Sequence, residues 1–260
     1  MFKKIAKKIL NSMGWKLQRV ATKQADCQPS RLEFLFLQAK NVGFQPKLIF
    51  DIGANHGGWT KIMLKVFPKA KFVLFEPQDH CEKDIRSVLS QSPQSLWRKA
   101  AVSNHVGQTQ FIKSTWDVTS RLLLYESSLE KSDAQLIDVE VSTVDQESVN
   151  LGVYPDILKI DAEGADLLVL EGAKNNLGKI EIIVIEAGVC CADFPNSLES
   201  VLSKMNAYGY DLIGIVDLNS FQTPKGEQKA GILWLVDLVF AVQGGRVLKA
   251  FRNPHVQQVS

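Results

Sequence analysis

The sequence predicts an α/β fold: a mainly parallel seven-stranded sheet with an antiparallel last strand and helices on both faces. Three features of the chain predict it. An apolar strand runs into a glycine-rich turn at 48–60, LIFDIGANHGGWT. Short β-branched runs then alternate with helix-length segments, the pattern of consecutive strand–helix–strand units. The last two apolar runs are joined by 218–230, too polar and glycine-containing for a crossover helix, so the seventh strand turns back antiparallel to the sixth.

In chain order, residues 2–20 set Phe2, Ile5, Ile9, Leu10, Met13, Leu17 and Val20 at helical spacing among lysines, a basic amphipathic helix. A further helix is expected at 31–40, and a turn at 43–46. Core strands are expected at 47–51 and at 71–76 (KFVLFE), with one helix between them. Residues 79–90 suggest a helix, and LWRKAAVS (96–103) a third strand ending in a turn at 104–107. TQFIKST and IDVEVSTV are extended, β-branched runs, expected as strands or a hairpin grafted after the third strand, with 115–135 hanging over one end of the sheet. DILKID (156–161) is the fourth core strand, and AEGADLLVLEGAKN fits a helix through Leu167, Leu168 and Leu170. IEIIVIE (180–186) is nearly continuous in apolar residues, as expected of a strand covered on both faces. A helix at 197–207, a sixth strand at DLIGIV and a long seventh at ILWLVDLVFAV follow. The expected division is 1–45, a basic amphipathic helical segment; 46–245, one domain; and 246–260, a C-terminal tail.

A chain of 260 residues with 45% hydrophobic content suffices for one large core. Its formal net charge of +2 carries no nucleic-acid signature, but the sign is unevenly spread. The first 24 residues hold Lys3, Lys4, Lys7, Lys8, Lys16, Arg19 and Lys23 and no acid, so the body keeps 23 bases against 28 acids and is mildly acidic. Cys27, Cys81, Cys190 and Cys191 form no C-x-x-C and no metal-ligand spacing, which suggests reduced thiols in a cytoplasmic protein. No apolar run reaches the ~18 residues of a membrane span, and the N-terminus lacks the unbroken core of a secretory signal.

The turn at 51–57 has its own chemistry. Gly53 and Gly57 allow close approach to a ligand, and amides at the following helix start can donate to it. Asn55 stands where a dinucleotide fingerprint has its second glycine, and Asp51 precedes the first; a carboxylate repels a pyrophosphate. It favours a ligand carrying an ammonium and a sulfonium, the charge pattern of S-adenosylmethionine. Glu76 ends the second strand, close to the ~20-residue spacing expected of an acid that accepts from ribose hydroxyls.

These residues, with FEP (75–77), AAVS (100–103), VSTVD (141–145), DILKIDAEGADLLVLEGA (156–173) and IVIEAG (183–188), resemble the FkbM-type S-adenosylmethionine-dependent methyltransferases across 46–190. KID-x-EG is the most specific element of the match. The resemblance implies a class I methyltransferase, Rossmann-like fold and methylation of a hydroxyl on a sugar, glycan or secondary metabolite. It also implies that Asp51, Gly53, Asn55 and Gly57 form the cofactor turn, that Glu76 binds the ribose, that Ala101 or Ser103 lies near the adenine and that Asp161 closes the pocket. The third strand ends in AVSN rather than in an acid, which leaves backbone groups to recognise the base.

Methyl transfer to oxygen needs an acceptor held on the methyl axis and a group to take its proton. Lys159, Asp161 and Glu163 gather at the end of the fourth strand, where open α/β sheets present ligands. Asp161 is assigned to cofactor or acceptor, Glu163 to positioning or base work, Glu186 to acceptor binding, and Lys159 to holding an acid ionised; the alternative is that Asp161 and Glu163 merely complement a helix dipole. His56 is expected to face solvent. His80, His105 and His255 show no spaced partners, and no metal site is visible in the sequence. The rival functions are an NAD(P)-dependent oxidoreductase and a non-catalytic, membrane-associated protein of the same fold. Residues 1–24 either pack on the body or contact an anionic membrane weakly, as a peripheral protein would. Intramolecular packing is the expectation, and deleting 1–24 should lower the melting temperature. A truncated protein that melts as before but no longer sediments with anionic vesicles would reverse it.

Overall fold

The computed structural model describes residues 29–113, 121–122, 135–189, 196–222 and 228–253. The expected helix at 2–20, most of the 115–135 connection, Cys27, Cys190, Cys191 and His255 lie outside them. The described helices are α1 (Arg31–Asn41), α2 (Gly58–Val66), α3 (Glu82–Leu89), α4 (Val144–Leu151), α5 (Asp166–Glu171), α6 (Leu198–Ala207) and α7 (Arg246–Arg252). The main sheet contains β1 (Leu48–Ile52), β2 (Lys71–Phe75), β3 (Leu96–Arg98), β8 (Ile157–Ile160), β9 (Ile182–Gly188), β10 (Tyr210–Gln222) and β11 (Gln228–Val242). A smaller sheet contains β4 (Ala101–Val102), β5 (Gly107–Lys113), β6 (Arg121–Leu122) and β7 (Gln135–Ser142).

The main sheet runs β10-β11-β9-β8-β1-β2-β3. β11 is antiparallel to β10, as expected, and lies between β10 and β9, antiparallel to both. β1 is buried along its whole length and pairs in parallel with β2 and β8. Strand alternation sends its side chains into two cores. Leu48, Phe50 and Ile52 join Phe75, Leu158 and Ile183 on one face, while Ile49 joins Phe72, Leu74, Ile157 and Val184 on the other.

Serine or threonine hydroxyls begin three of the helices, as N-caps that accept from a backbone N–H: Ser30 from Glu33, Thr143 from Gln146 and Ser197 from Ser200. From α1, Leu32, Phe36 and Ala39 enter the second core. Phe36 meets Trp59 and Phe67 edge to face, with ring centroids 6.3 and 6.1 Å apart. From α7, Val247 is fully buried in that core as well.

Three local expectations are corrected. The third strand is two strands in two sheets: Ala100 N–H donates to Arg98 at 2.9 Å in a tight turn, after which Ala101 and Val102 pair with β7. α4 already begins at Val144, the last residue of the run IDVEVSTV expected to be extended. The helix expected throughout AEGADLLVLEGAKN is confined to α5. The two grafted runs form the antiparallel pair β5 and β7, and no helix among the described residues is long and apolar enough to cross a membrane. Phe36→Ala should cost about 3–5 kcal/mol of unfolding free energy, as truncation of a buried aromatic does. A urea midpoint equal to wild type would mean that α1 is not part of the cooperative core.

Candidate active site

The end of β1 is shaped by backbone contact. Gly53 has φ +70°, and a Cβ there would run into the Asp161 carbonyl, so the ends of β1 and β8 meet main chain to main chain. Gly53 and Ala54 N–H both donate to Phe75 O at 3.0 Å, which ties the turn to β2. Asn55 is also left-handed, at φ 47°, and Gly57, at φ +74°, caps α2.

A cleft opens beyond these strand ends. Gly53, Asn55, Glu76, Gln78, Asp161 and Glu163 line it, together with Ala101, Val102 and Phe111 of the small sheet. Glu76 is nearly buried, and each carboxylate oxygen accepts one backbone N–H: Oε2 from Asn55 at 2.9 Å and Oε1 from Gln78 at 3.0 Å. Burial raises its pKa above the ordinary carboxylate value, against the opposing pull of the Gln78 and Asn55 amides. Gln78 Oε1 is buried without a hydrogen-bond partner, an acceptor suited to a ligand donor.

Lys159 lies under the turn, opposite Asp51 in the β1–β8 register. Its Nζ donates to Ile52 O at 3.3 Å, Gly53 O at 3.0 Å and Asp161 Oδ2 at 3.1 Å. Those bonds use the three protons of an ammonium. Asp51 Oδ1 therefore lies 3.3 Å from Nζ as an ion-pair partner without a hydrogen bond of its own, while Oδ2 accepts from Thr60 at 2.6 Å. Burial alone would lower the Lys159 pKa, but Asp161 and Asp51 override it and hold the ammonium above its ordinary range.

Further carboxyl groups act on Asp161, the partner of this cation. Asp166 is fully buried, accepts from Ala162 and Gly164 N–H, and is pushed up to about 6 by burial and by Asp161. Glu186 is pushed up to about 9 by burial, then by Asp161, Asp166 and Glu163. Asp237 stands directly opposite Glu186 in the β9–β11 register and is pushed up to about 7, first by burial and then by Asp161.

Of the residues expected at the site, Gly53, Asn55, Glu76, Ala101, Asp161 and Glu163 share the cleft wall. Asp51 and Lys159 are buried beneath it, and Asp51 is paired with Lys159 rather than presented on the wall. Gly57 starts α2 against Val88, and Glu186 is buried at the end of β9. Ser103 is buried with its N–H on Ser142 O at 2.9 Å, and is not on the wall. Gln78, Phe111 and Asp237 were not singled out in the sequence. Gln78 lies two residues past Glu76, the one nearby cue; the others are positioned by sheet pairing. His56 is exposed, as expected, with Nδ1 2.7 Å from Asp84 Oδ2. The absence of spaced partners expected for His80 is corrected by the fold, which brings it beside His56 and Cys81.

The methyltransferase FkbM domain matches residues 51–212. The 2-O-methyltransferase NoeI of Sinorhizobium fredii (strain NBRC 101917 / NGR234) is 25% identical over 151 residues, covering 54% of this chain and 62% of that protein. The chain thus spans less than two thirds of that relative's length. Among solved structures, precorrin-6Y C5,15-methyltransferase from Geobacter metallireducens GS-15 is similar with a TM-score of 0.43 and 14% identity, covering 81% of this chain and 88% of that one. N-methyltransferase NodS from Bradyrhizobium japonicum WM9 is similar with a TM-score of 0.43 and 10% identity, covering 82% and 94%. The seven-stranded sheet with its one reversed strand is the class I methyltransferase fold expected of that family.

The Glu186 shift has a signed consequence. Its folded pKa of about 9 lies above the ordinary 4.5, so its contribution to stability is present below the ordinary value and is lost as pH rises through about 9. Unfolding free energy measured by urea titration should therefore fall between about pH 5 and about pH 9. Glu186→Gln should flatten that slope and be the more stable protein at the alkaline end; an unchanged slope would remove Glu186 as its source.

Proposed function

The chain belongs to the FkbM methyltransferase family, and from that premise we propose that it moves the methyl group of S-adenosylmethionine onto a hydroxyl of a sugar, glycan or other small-molecule acceptor. The observation that carries the cofactor assignment is Glu76, fixed in the cleft wall by two backbone N–H groups. Each carboxylate oxygen has a second acceptor position, and together they suit the two hydroxyls of a ribose. Gln78 Oε1 supplies one more acceptor, and the missing Cβ of Gly53 keeps the turn close to the cleft. The carboxyl groups of Asp161, Glu163, Glu186 and Asp237 complement a ligand bearing an ammonium and a sulfonium.

When bound, S-adenosylmethionine supplies an electrophilic methyl on a cationic sulfur. The protein's part is to hold the acceptor oxygen in line and to remove its proton. Asp161, anchored through Oδ2 to Lys159, and Glu163 on the cleft wall are the groups for that work. Glu186 and Asp237, facing each other across β9 and β11, bind the acceptor beside them. Hydroxyl rather than nitrogen or carbon as the acceptor is supported by the 2-O-methyltransferase relative.

S-adenosylmethionine should raise the melting temperature and NAD should not; equal stabilisation by NAD would favour the oxidoreductase reading. Glu76→Ala should weaken S-adenosylmethionine binding by about 1.5–3 kcal/mol in calorimetry, from lost charged hydrogen bonds. An unchanged dissociation constant would remove the ribose role. Transfer of labelled methyl to a panel of hydroxyl and amine acceptors tests the acceptor class, and transfer to amines alone would overturn it.

A further inference from the structure

We propose that His56, His80 and Cys81 form a binding site for a thiophilic divalent metal ion, with Zn(II) the ion they suit best. The site requires the tertiary fold: His56 belongs to the turn after β1, while His80 and Cys81 belong to a 3-10 turn, Asp79–Cys81, that follows β2. One ligand atom from each residue lies within 4.8 Å of the other two. His80 Nε2 and Cys81 Sγ are 3.5 Å apart. Zinc–nitrogen and zinc–sulfur bonds of about 2.0–2.1 and 2.3 Å at tetrahedral angles put two such ligands about 3.5 Å apart, so this pair is already spaced for one ion.

His56 is held in the manner of a metal-binding imidazole. Its Nδ1 is 2.7 Å from Asp84 Oδ2, which orients the ring and directs Nε2 to the ion, the carboxylate–histidine–metal arrangement. The two imidazole rings cross at 71° with centroids 5.8 Å apart, so they converge from different directions instead of stacking. Cys81 is fully buried in the apolar core beside Ile85 and Val88, and His56 is exposed, which gives the ion a solvent entry and the thiolate a sheltered base. Two imidazoles and a thiolate are ligands for a zinc-like ion rather than for calcium or magnesium. Three protein ligands leave a fourth position for water. On binding, the Cys81 thiol gives its proton to solvent and its sulfur becomes the ligand.

The ion would bridge the segments that hold Glu76, because Asn55 precedes His56 and Gln78 precedes the 3-10 turn. Its binding is nevertheless independent of the cofactor assignment and is measured without any cofactor. The full chain, stripped with a chelator and kept reduced without thiols, is titrated with Co(II). The expected result is thiolate-to-cobalt charge-transfer absorption that saturates at one equivalent and is displaced by Zn(II). Cys81→Ser should abolish the band, and His56→Ala or His80→Ala should weaken cobalt binding at least about tenfold, as should Asp84→Asn through the His56 ring. Because Cys81 is buried, circular dichroism must show each variant folded; should Cys81→Ser unfold, exposed His56→Ala carries the test. Absence of a charge-transfer band, a band that survives Cys81→Ser on another thiol, or affinity unchanged in His56→Ala would each overturn the site.

Discussion

A buried ammonium organises the carboxyl end of the central strands. Lys159 pairs in register with Asp51 across the two central strands and donates to the carbonyls of Ile52 and Gly53, where β1 stops being a strand. The same nitrogen holds Asp161 at the end of β8. Removing it would leave the fully buried Asp51 without its counter-charge, and breaking a buried pair in this way costs far more than a surface ion pair is worth. The turn, its contact with the Asp161 carbonyl and the position of the cleft follow from this one group.

That ammonium does not neutralise its surroundings. Asp51, Asp161 and Asp237 act on it, Asp166 and Glu186 press on Asp161 in turn, and Glu186 faces Asp237 directly across two antiparallel strands, an unfavourable arrangement for two charged acids. Protons resolve the conflict: burial first, and then the charge of Asp161, push Glu186 and Asp237 to about 9 and about 7. A cation bound near them would lower both, so ligand charge and the protonation of these carboxyls would be linked. The small sheet completes the enclosure, since its Ala101, Val102 and Phe111 wall the cleft opposite a turn supplied by the main sheet.

Some of this is readable along the chain because it is local. Short apolar runs mark β1, β2, β8 and β9; Gly53 marks a turn no Cβ fits; and Glu76 is an acid at a strand end beside that turn, which is where it stands in the cleft. The polar link after β10 foretells the reversed β11. α4 had a local signal too, the T-x-x-Q spacing of Thr143 and Gln146, of which the threonine half is formed: Thr143 accepts from Gln146 N–H, while the Gln146 amide turns to Asn150. The break at Ala100 had none, because Ala101 and Val102 leave the main sheet only to pair with β7, some forty residues ahead.

The sequence by itself determined the class of fold, the glycine turn after β1 and the acid that ends the second strand run beside it, since apolar strand runs, glycine geometry and strand-end chemistry are set by near neighbours. Only the tertiary structure decided that Asp51 is sealed beneath the cleft rather than facing it, that Asp237 opposes Glu186, and that His56, His80 and Cys81 meet. Those facts depend on strand register and on which turns lie side by side, contacts between residues distant in sequence that no local spacing encodes.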